Sequence, residues 1–213
     1  MESFAPSSSA QTLIPSTTLQ VDRRMSLLQA TFDEIASNGF EGLRTRSVAE
    51  RASVNIATLH YYFPTKEELI KGLAEFLSKV FATLHAPSPP STGYRAIDHL
   101  RQEFADTRFY REHHPQFVNV LEEMGSRAKR DPSVRAAMDE MTISWRGWIK
   151  TIVQTGLAEG SFRADLDPDE TISMLMAILA GALIVEPNSL ENVQRGVEAW
   201  LVKPKIQTKL KEV

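Results

Sequence analysis

A run of small, hydroxyl and aromatic residues at 56–63 is the stretch of this sequence best suited to recognise another molecule. Leu59 and Phe63 lie four residues apart and would bury one face of a short helix. The other face then carries Ala57, Thr58, His60, Tyr61 and Tyr62. Such side chains suit a DNA groove better than bulk water, because they can bond to base edges and contact thymine methyl groups.

A second short helix is predicted just before this one. Val48, Ala49 and Ala52 are spaced to form one apolar face, and Thr45 is placed to cap the first turn with its hydroxyl. Residues 53–55 interrupt the helical pattern and predict a tight turn. Two helices joined by such a turn form a helix-turn-helix, whose second helix reads the major groove.

The polar residues of this unit have DNA contacts as their predicted chemistry, with simpler roles left open. Arg46 would reach a phosphate or a groove edge. Asn55 and Thr58 could bond bases or phosphates, although Asn55 could instead only cap the second helix. Tyr61 and Tyr62 could donate to phosphates, or one of them could belong to the core. The predicted DNA-binding residues are Thr45, Arg46, Asn55, Ile56, Ala57, Thr58, His60, Tyr61, Tyr62 and Lys66.

The rest of the chain reads as further helices, so the predicted fold class is all-α. A helix from about residue 22 stops at Asn38-Gly39, and Thr65 with Glu68 forms a capping box that opens a helix to about 85. Asp131 and Asp167 cap two more. The remaining predicted helices cover about 94–112, 115–128, 132–159, 168–184 and 189–201.

Proline-rich residues 86–93 predict a boundary between two domains. The first, 21–85, would hold the helix-turn-helix, and the second, 94–203, would be helical. Residues 1–20 are rich in Ser, Thr, Pro and Ala without a charged start or apolar core, so we expect a disordered arm and no signal peptide. Residues 204–213 are expected to form a tail.

Composition narrows the function classes. The chain has no cysteine, which excludes disulfides and cysteine-based zinc sites and fits a cytoplasmic protein. Its net charge of −3 argues against a non-specific nucleic-acid binder. An enzyme would rest on His113-His114 with Glu122-Glu123, whose spacing matches no metalloprotease motif. We therefore expect no catalytic activity, no metal and no cofactor.

The stretch from Arg24 to about Leu73 resembles the DNA-binding domain of the TetR family of transcriptional regulators. The residues that carry the resemblance are Leu27, Leu28, Ala30, Gly39, Phe40, Thr45, Val48, Ala49, Val54, Thr58, Leu59, Tyr62, Phe63, Lys66, Glu68 and Leu69. Two positions depart from the family pattern. Ser53 stands where glycine is usual and is expected to turn without a positive φ, and His60 replaces an aromatic residue.

The resemblance implies a repressor that binds a near-palindromic operator as a homodimer through its last two helices, at about 168–184 and 189–201. It also implies a small-molecule effector bound among the middle helices. The side chains that could line that pocket, or could equally be plain core, are Phe104, Phe109, Phe117, Met124, Met141, Trp145, Trp148 and Met174, with Arg101, Arg108 or His113 as polar anchors.

A second class of function stays open at this point. The exposed face of residues 57–62 could contact a protein, which would make the chain a helical dimeric interaction module without DNA binding.

Overall fold

The chain folds into helices joined by short loops. The computed structural model describes residues 23–183 and 187–210, and over these residues the predicted all-α class is confirmed. The helices are α1 (Arg23–Gly42), α2 (Thr45–Arg51), α3 (Ile56–Tyr62), α4 (Lys66–Thr83), α5 (Arg95–His113), α6 (Pro115–Ala128), α7 (Pro132–Ala158), α8 (Pro168–Ala182), α9 (Pro187–Leu201) and α10 (Pro204–Leu210).

Helix starts follow the capping chemistry written in the sequence. The Thr65 hydroxyl accepts from the Glu68 N–H at 3.1 Å, and the Glu68 carboxylate accepts from the Thr65 N–H at 3.3 Å, so the predicted capping box is present. Asp131 accepts from two amides at the start of α7. Asp167 accepts from the Glu170 N–H at 2.9 Å and caps α8.

Four parts of the chain differ from the sequence prediction or lie outside the described residues. Residues 204–210, expected to be part of a tail, form α10, because Ile206 and Leu210 pack against a core of the second domain. Helix α9 begins at Pro187, a residue well suited to the first helical position. The expected arm at 1–20 and residue 184, the predicted end of the preceding helix, lie outside the described residues.

Two apolar cores organise the molecule. The first joins α1–α4 to α6 and to parts of α5 and α7, so it includes residues from both sides of the segment 86–93. Phe117 of α6 lies at its centre, with ring centroids 6.4 Å from Phe32 of α1 and 4.5 Å from Phe81 of α4. We call α1–α3 the reading head. The reading head therefore packs directly on α6.

The second core lies among α5, α7, α8, α9 and α10. Phe104 of α5 and Leu175 of α8 are fully buried in it. An antiparallel bridge between Phe162 and Val202 ties the loop after α7 to the end of α9. No helix in the described ranges is both long and apolar enough to cross a membrane.

Candidate nucleic-acid interface and effector region

The turn between α2 and α3 is built on Ser53. Its φ is 54°, so the expectation of a turn without positive φ is wrong. The Val54 N–H reaches back to the Ala49 carbonyl at 2.9 Å, and the Ser53 N–H reaches the Glu50 carbonyl at 3.0 Å. These are the two bonds of a Schellman motif, which requires a left-handed residue at this position. Serine accepts the conformation at an energetic cost that glycine would avoid.

The start of α2 also differs from the prediction. Thr45 is the first helical residue and not the cap, so its predicted capping role is wrong. The capping position belongs to Arg44, whose backbone is extended and whose side chain makes no capping bond. The Arg44 guanidinium instead donates to the Glu41 carbonyl at 2.6 Å, closing the end of α1. Thr45 stays a predicted DNA contact at a helix N-terminus, where a phosphate is favoured.

Helix α3 has one face buried against the rest of the protein and one face exposed to solvent. Leu59 is fully buried and Phe63, which follows the helix, is 2% exposed. Asn55 caps the helix, because its Oδ1 accepts from the Thr58 N–H at 2.7 Å and from the Thr58 hydroxyl at 2.9 Å. The helix thus presents a fixed outer face.

The two tyrosines of α3 differ in how far they are exposed on this outer face. Tyr61 is 81% exposed, whereas Tyr62 is half-buried and packs against the first core. Their rings meet edge to face with centroids 5.2 Å apart. Ile56 is also unusually exposed for an apolar residue, at 41%. The exposure of Tyr61 and Ile56 leaves both available for contact with another molecule, and Tyr62, although packed against the first core, stays a predicted DNA contact. Ala57 and His60 are exposed on the same helix.

The positive charges near this face are few. The Arg46 side chain is 88% exposed and lies 3.5 Å from Glu50, an exposed pair that stabilises the fold little. Lys66 contacts the Leu43 carbonyl at 3.5 Å, and its ammonium lies 5.5 Å from the centroid of the Phe40 ring. Arg46 and Lys66 both stay predicted phosphate contacts.

Helix α6 holds the end of α1. At Gly39 the backbone turns left-handed, with φ at 66°, and the next N–H, that of Phe40, donates to the Glu123 carboxylate at 2.9 Å. Arg127 pairs with Glu41 at 2.8 Å and lies over the Phe40 ring. The reading head is therefore held by polar contacts as well as by the first core.

Helix α5 holds the end of α4 through Asp106. This carboxylate is 6% exposed, accepts from the Ala86 N–H at 2.7 Å and lies 2.8 Å from Nδ1 of His85. The Tyr110 hydroxyl donates to the Leu84 carbonyl at 2.7 Å. Burial raises the pKa of Tyr110, so the hydroxyl stays a donor. Helix α6 thus holds the end of α1, and helix α5 holds the end of α4.

The predicted effector-pocket residues do not gather in one place. Phe117 and Met124 are buried in the first core, and Met141 packs against it, whereas Phe104 and Trp145 belong to the second. Met174 is 49% exposed on α8.

The polar anchors are spread in the same way. Arg101 forms a two-bond ion pair with Glu198 of α9, at 2.9 and 3.0 Å. The Phe109 ring lies beside that of His113 at a tilt of 57°, with ring centroids 5.1 Å apart. Arg108 is partly buried on α5. One part of the predicted set does converge, around Trp145 and Trp148.

These two tryptophans meet on Glu103, a residue that sequence reasoning missed. The Trp148 Nε1–H donates to Glu103 Oε1 at 2.7 Å, and the Trp145 Nε1–H donates to Oε2 at 3.3 Å. Burial raises the pKa of the Glu103 carboxyl, although both indole bonds act in the opposite direction. The signal in the sequence was slight: Glu103 lies one position from Phe104 and one turn from Leu100, next to the buried face of its helix.

A separate cleft lies between α1 and α6. It has a volume of about 390 Å³ and is lined by Ile35, Ala36, Gly39, Asn119, Glu122, Glu123 and Ser126. None of the predicted pocket residues lines it. Across the described part of the chain, no group of His, Asp and Glu side chains is placed to hold a metal ion.

A helix-turn-helix with an exposed outer face, packed on a larger helical domain, defines a DNA-binding transcriptional regulator. Comparisons with known proteins agree. Residues 27–73 match the family model of the bacterial regulatory proteins of the tetR family, and residues 98–186 match that of the tetracyclin repressor-like C-terminal domain. The chain belongs to the TetR family and is a ligand-responsive DNA-binding repressor of that class.

Individual relatives support this assignment. The chain is 28% identical over 157 residues to the HTH-type transcriptional repressor NicS of Pseudomonas putida, covering 69% of each chain. It is 30% identical over 115 residues to the nicotine-responsive repressor HdnoR of Paenarthrobacter nicotinovorans, covering 53% of this chain and 57% of that protein. The fold is similar to that of a TetR regulator from Haloarcula marismortui, with a TM-score of 0.69, 20% identity and 84% and 98% coverage.

Proposed function

We propose that the protein binds a near-palindromic operator as a homodimer and leaves it when a small molecule binds the second domain. One observation carries the DNA half of the proposal. Tyr61 stands 81% exposed on a helix whose inner face is fully buried. An aromatic residue so placed has no role in the core and suits a sugar-phosphate edge or a groove. Such a repressor would act in the cytoplasm, beside its DNA.

Specificity favours a dimer. One recognition helix reads only a few base pairs, and two copies related by a two-fold axis read two half-sites about one helical turn apart. Helix α8 offers an apolar outer face for the contact, with Met174, Ala177 and Ala180 all exposed. Helix α9 is the proposed second element of the interface.

Effector action would follow from the contact between α5 and the end of α4. A ligand that alters α5 would move the Asp106 contact with the end of α4, and α4 sets the position of the reading head. The ligand must bind the DNA-incompetent arrangement more tightly, because a ligand with equal affinity for both shifts nothing. The nicotine-responsive character of one relative supports regulation by a small molecule.

Selection of bound sequences from random DNA tests the DNA half. We expect a site with two-fold symmetry, and binding that weakens as salt rises. Recovery of no preferred sequence at physiological salt would instead favour the protein-interaction module. This one experiment distinguishes a DNA-binding repressor from a protein-interaction module.

The dimer is tested by charge placed on α8. Ala177→Arg should give a monomer in analytical ultracentrifugation and weaken operator binding, because two like charges would meet across the two-fold axis. Ala136→Arg is the matched control, since it adds the same side chain at an exposed site on α7 outside the proposed interface. Equal dimerisation of the two variants would place the interface elsewhere.

A further inference from the structure

Glu103 is a half-buried acid that forms no salt bridge among the residues that the structure describes. Its two oxygens accept only from the indole N–H groups of Trp145 and Trp148. A carboxylate in such a place is costly unless a positive charge compensates it. Two neutral donors satisfy its hydrogen bonds and leave its charge unbalanced.

The surroundings add to the negative potential. Asp106 lies one helical turn along the same face of α5 and is buried. Its own partners are His85, the Ala86 N–H and Gln102, which donates at 2.8 Å. His85, in the segment just after α4, faces both carboxylates: its Nδ1 lies 2.8 Å from Asp106, and its charge also acts on Glu103.

Aromatic rings form the walls beside Glu103. An indole that donates its N–H in the ring plane keeps its π faces for other contacts. The Trp148 ring lies 5.0 Å from that of His99, centroid to centroid, and the residue is 40% exposed. The Nδ1 atom of His99 is buried and has no hydrogen-bond partner within residues 23–183 and 187–210. Trp148 is therefore the outer wall of the site, reachable from solvent, and Glu103 is its inner end.

We propose that Glu103, Trp145 and Trp148 form the recognition site for a small organic cation, an ammonium group that carries apolar substituents. This inference rests on the proposed function and names the chemical class of its effector. The carboxylate would supply the counter-charge, and the indole faces would hold the cation by cation–π attraction. A neutral ligand would leave the charge of Glu103 unbalanced, and an anion would be repelled.

Binding at this site has a route to the reading head. A cation beside Glu103 changes the potential at Asp106, one turn away, and Asp106 holds His85 and Ala86 at the end of α4. Movement of Trp148 would also alter the contact between α7 and α5. The Glu103 carboxylate would thereby bind the ligand and, through Asp106, alter the contacts at the end of α4.

Three probes test the charge requirement on the full-length protein. Benzyltrimethylammonium is the cation, neopentylbenzene is its neutral carbon isostere, and benzoate is an anion with the same ring. Binding is followed by tryptophan fluorescence and calorimetry. We expect saturable binding of the cation with a Kd below about 1 mM, weaker binding of the isostere, and none of benzoate.

Two matched variants locate the site. Glu103→Gln should weaken cation binding by about tenfold or more, whereas Glu112→Gln, an exposed acid on the same helix, should leave it unchanged. Circular dichroism checks that each variant folds. If Glu103→Gln does not fold, Trp148→Leu replaces it, since loss of one wall should produce a comparable fall.

Three results would overturn the inference: no saturable cation binding, equal affinity in the Glu103 and Glu112 variants, or an isostere that binds as tightly as the cation. A gel shift on the selected operator separates this failure from that of the proposed function. Operator binding without cation binding refutes only the effector class. Cation binding by a protein with no preferred DNA sequence refutes the regulator.

Discussion

Glu123 of α6 accepts a hydrogen bond from the backbone N–H of Phe40 at 2.9 Å, across the junction of the reading head and the second domain. The acceptor lies where α1 turns through a left-handed glycine, so it satisfies an amide that the helix itself leaves free. The bond joins residues 83 positions apart in sequence. It makes α6 a direct support of the DNA-reading unit.

Removal of this acceptor should loosen the reading head. Glu123→Ala is expected to destabilise the protein by about 1–2 kcal/mol, because a partly buried N–H loses its partner. Operator affinity should fall with it. Thermal melting and gel-shift titration measure the two effects. Glu122→Ala is the control, as it makes the same change at the exposed neighbouring position, and identical behaviour of the two variants would refute a role for the Phe40 bond.

The two tyrosines of α3 should respond differently to truncation. Tyr61→Ala is expected to weaken operator binding by about tenfold and to change stability by no more than about 0.5 kcal/mol, because the side chain is exposed. Tyr62→Ala should cost about 1–3 kcal/mol of stability, because it packs against the first core. Chemical denaturation and DNA titration of both variants provide the comparison. A stable Tyr62→Ala protein with lost DNA binding would move Tyr62 to the interface.

Ser53 carries a backbone cost that glycine would remove. Ser53→Gly should stabilise the protein by about 0.5–1 kcal/mol, since φ is 54° and glycine adopts this region freely. Ser47→Gly, inside the helix α2 that precedes the turn, should instead destabilise by about 0.5–1 kcal/mol. Melting temperatures that move in the same direction for both variants would argue against strain at Ser53.

The Glu103 carboxyl should leave a signature in the pH dependence of stability. Its pKa is raised above the ordinary 4.5, mainly by burial. Between these two pKa values the folded state binds more protons than the unfolded state, so this group makes stability fall as pH rises. The effect is about 1.4 kcal/mol per unit of pKa difference.

Comparison of the wild type with Glu103→Gln isolates this contribution. Because glutamine does not titrate, the melting temperature of the variant should rise relative to that of the wild type as pH rises from about 4 to about 8. Acids remote from position 103 titrate in the same way in both proteins, so their contributions cancel. A difference that is constant with pH would show that the pKa of Glu103 is not raised.

The sequence by itself determined the local elements of this protein. Helix starts such as Thr65 with Glu68 depend on contacts three residues apart, and the buried face of Leu59 and Phe63 depends on helical spacing. Patterns of this range also identified the helix-turn-helix and most of its candidate DNA contacts. Two local predictions were wrong. Thr45 is the first residue of α2 and not its cap, and Ser53 shows that a turn can impose a backbone conformation on a residue that does not favour it.

Tertiary structure alone decided which of the chemically suitable residues come together. Trp145 and Trp148 were candidates for an effector pocket from their type, but Glu103, 42 and 45 positions away, had no pattern to mark it. Nor could spacing show that Phe40 meets Glu123, or that Tyr61 is free while its neighbour Tyr62 is packed. Such pairings depend on how whole helices cross, and that arrangement is set by the packing of both cores rather than by any local run of residues.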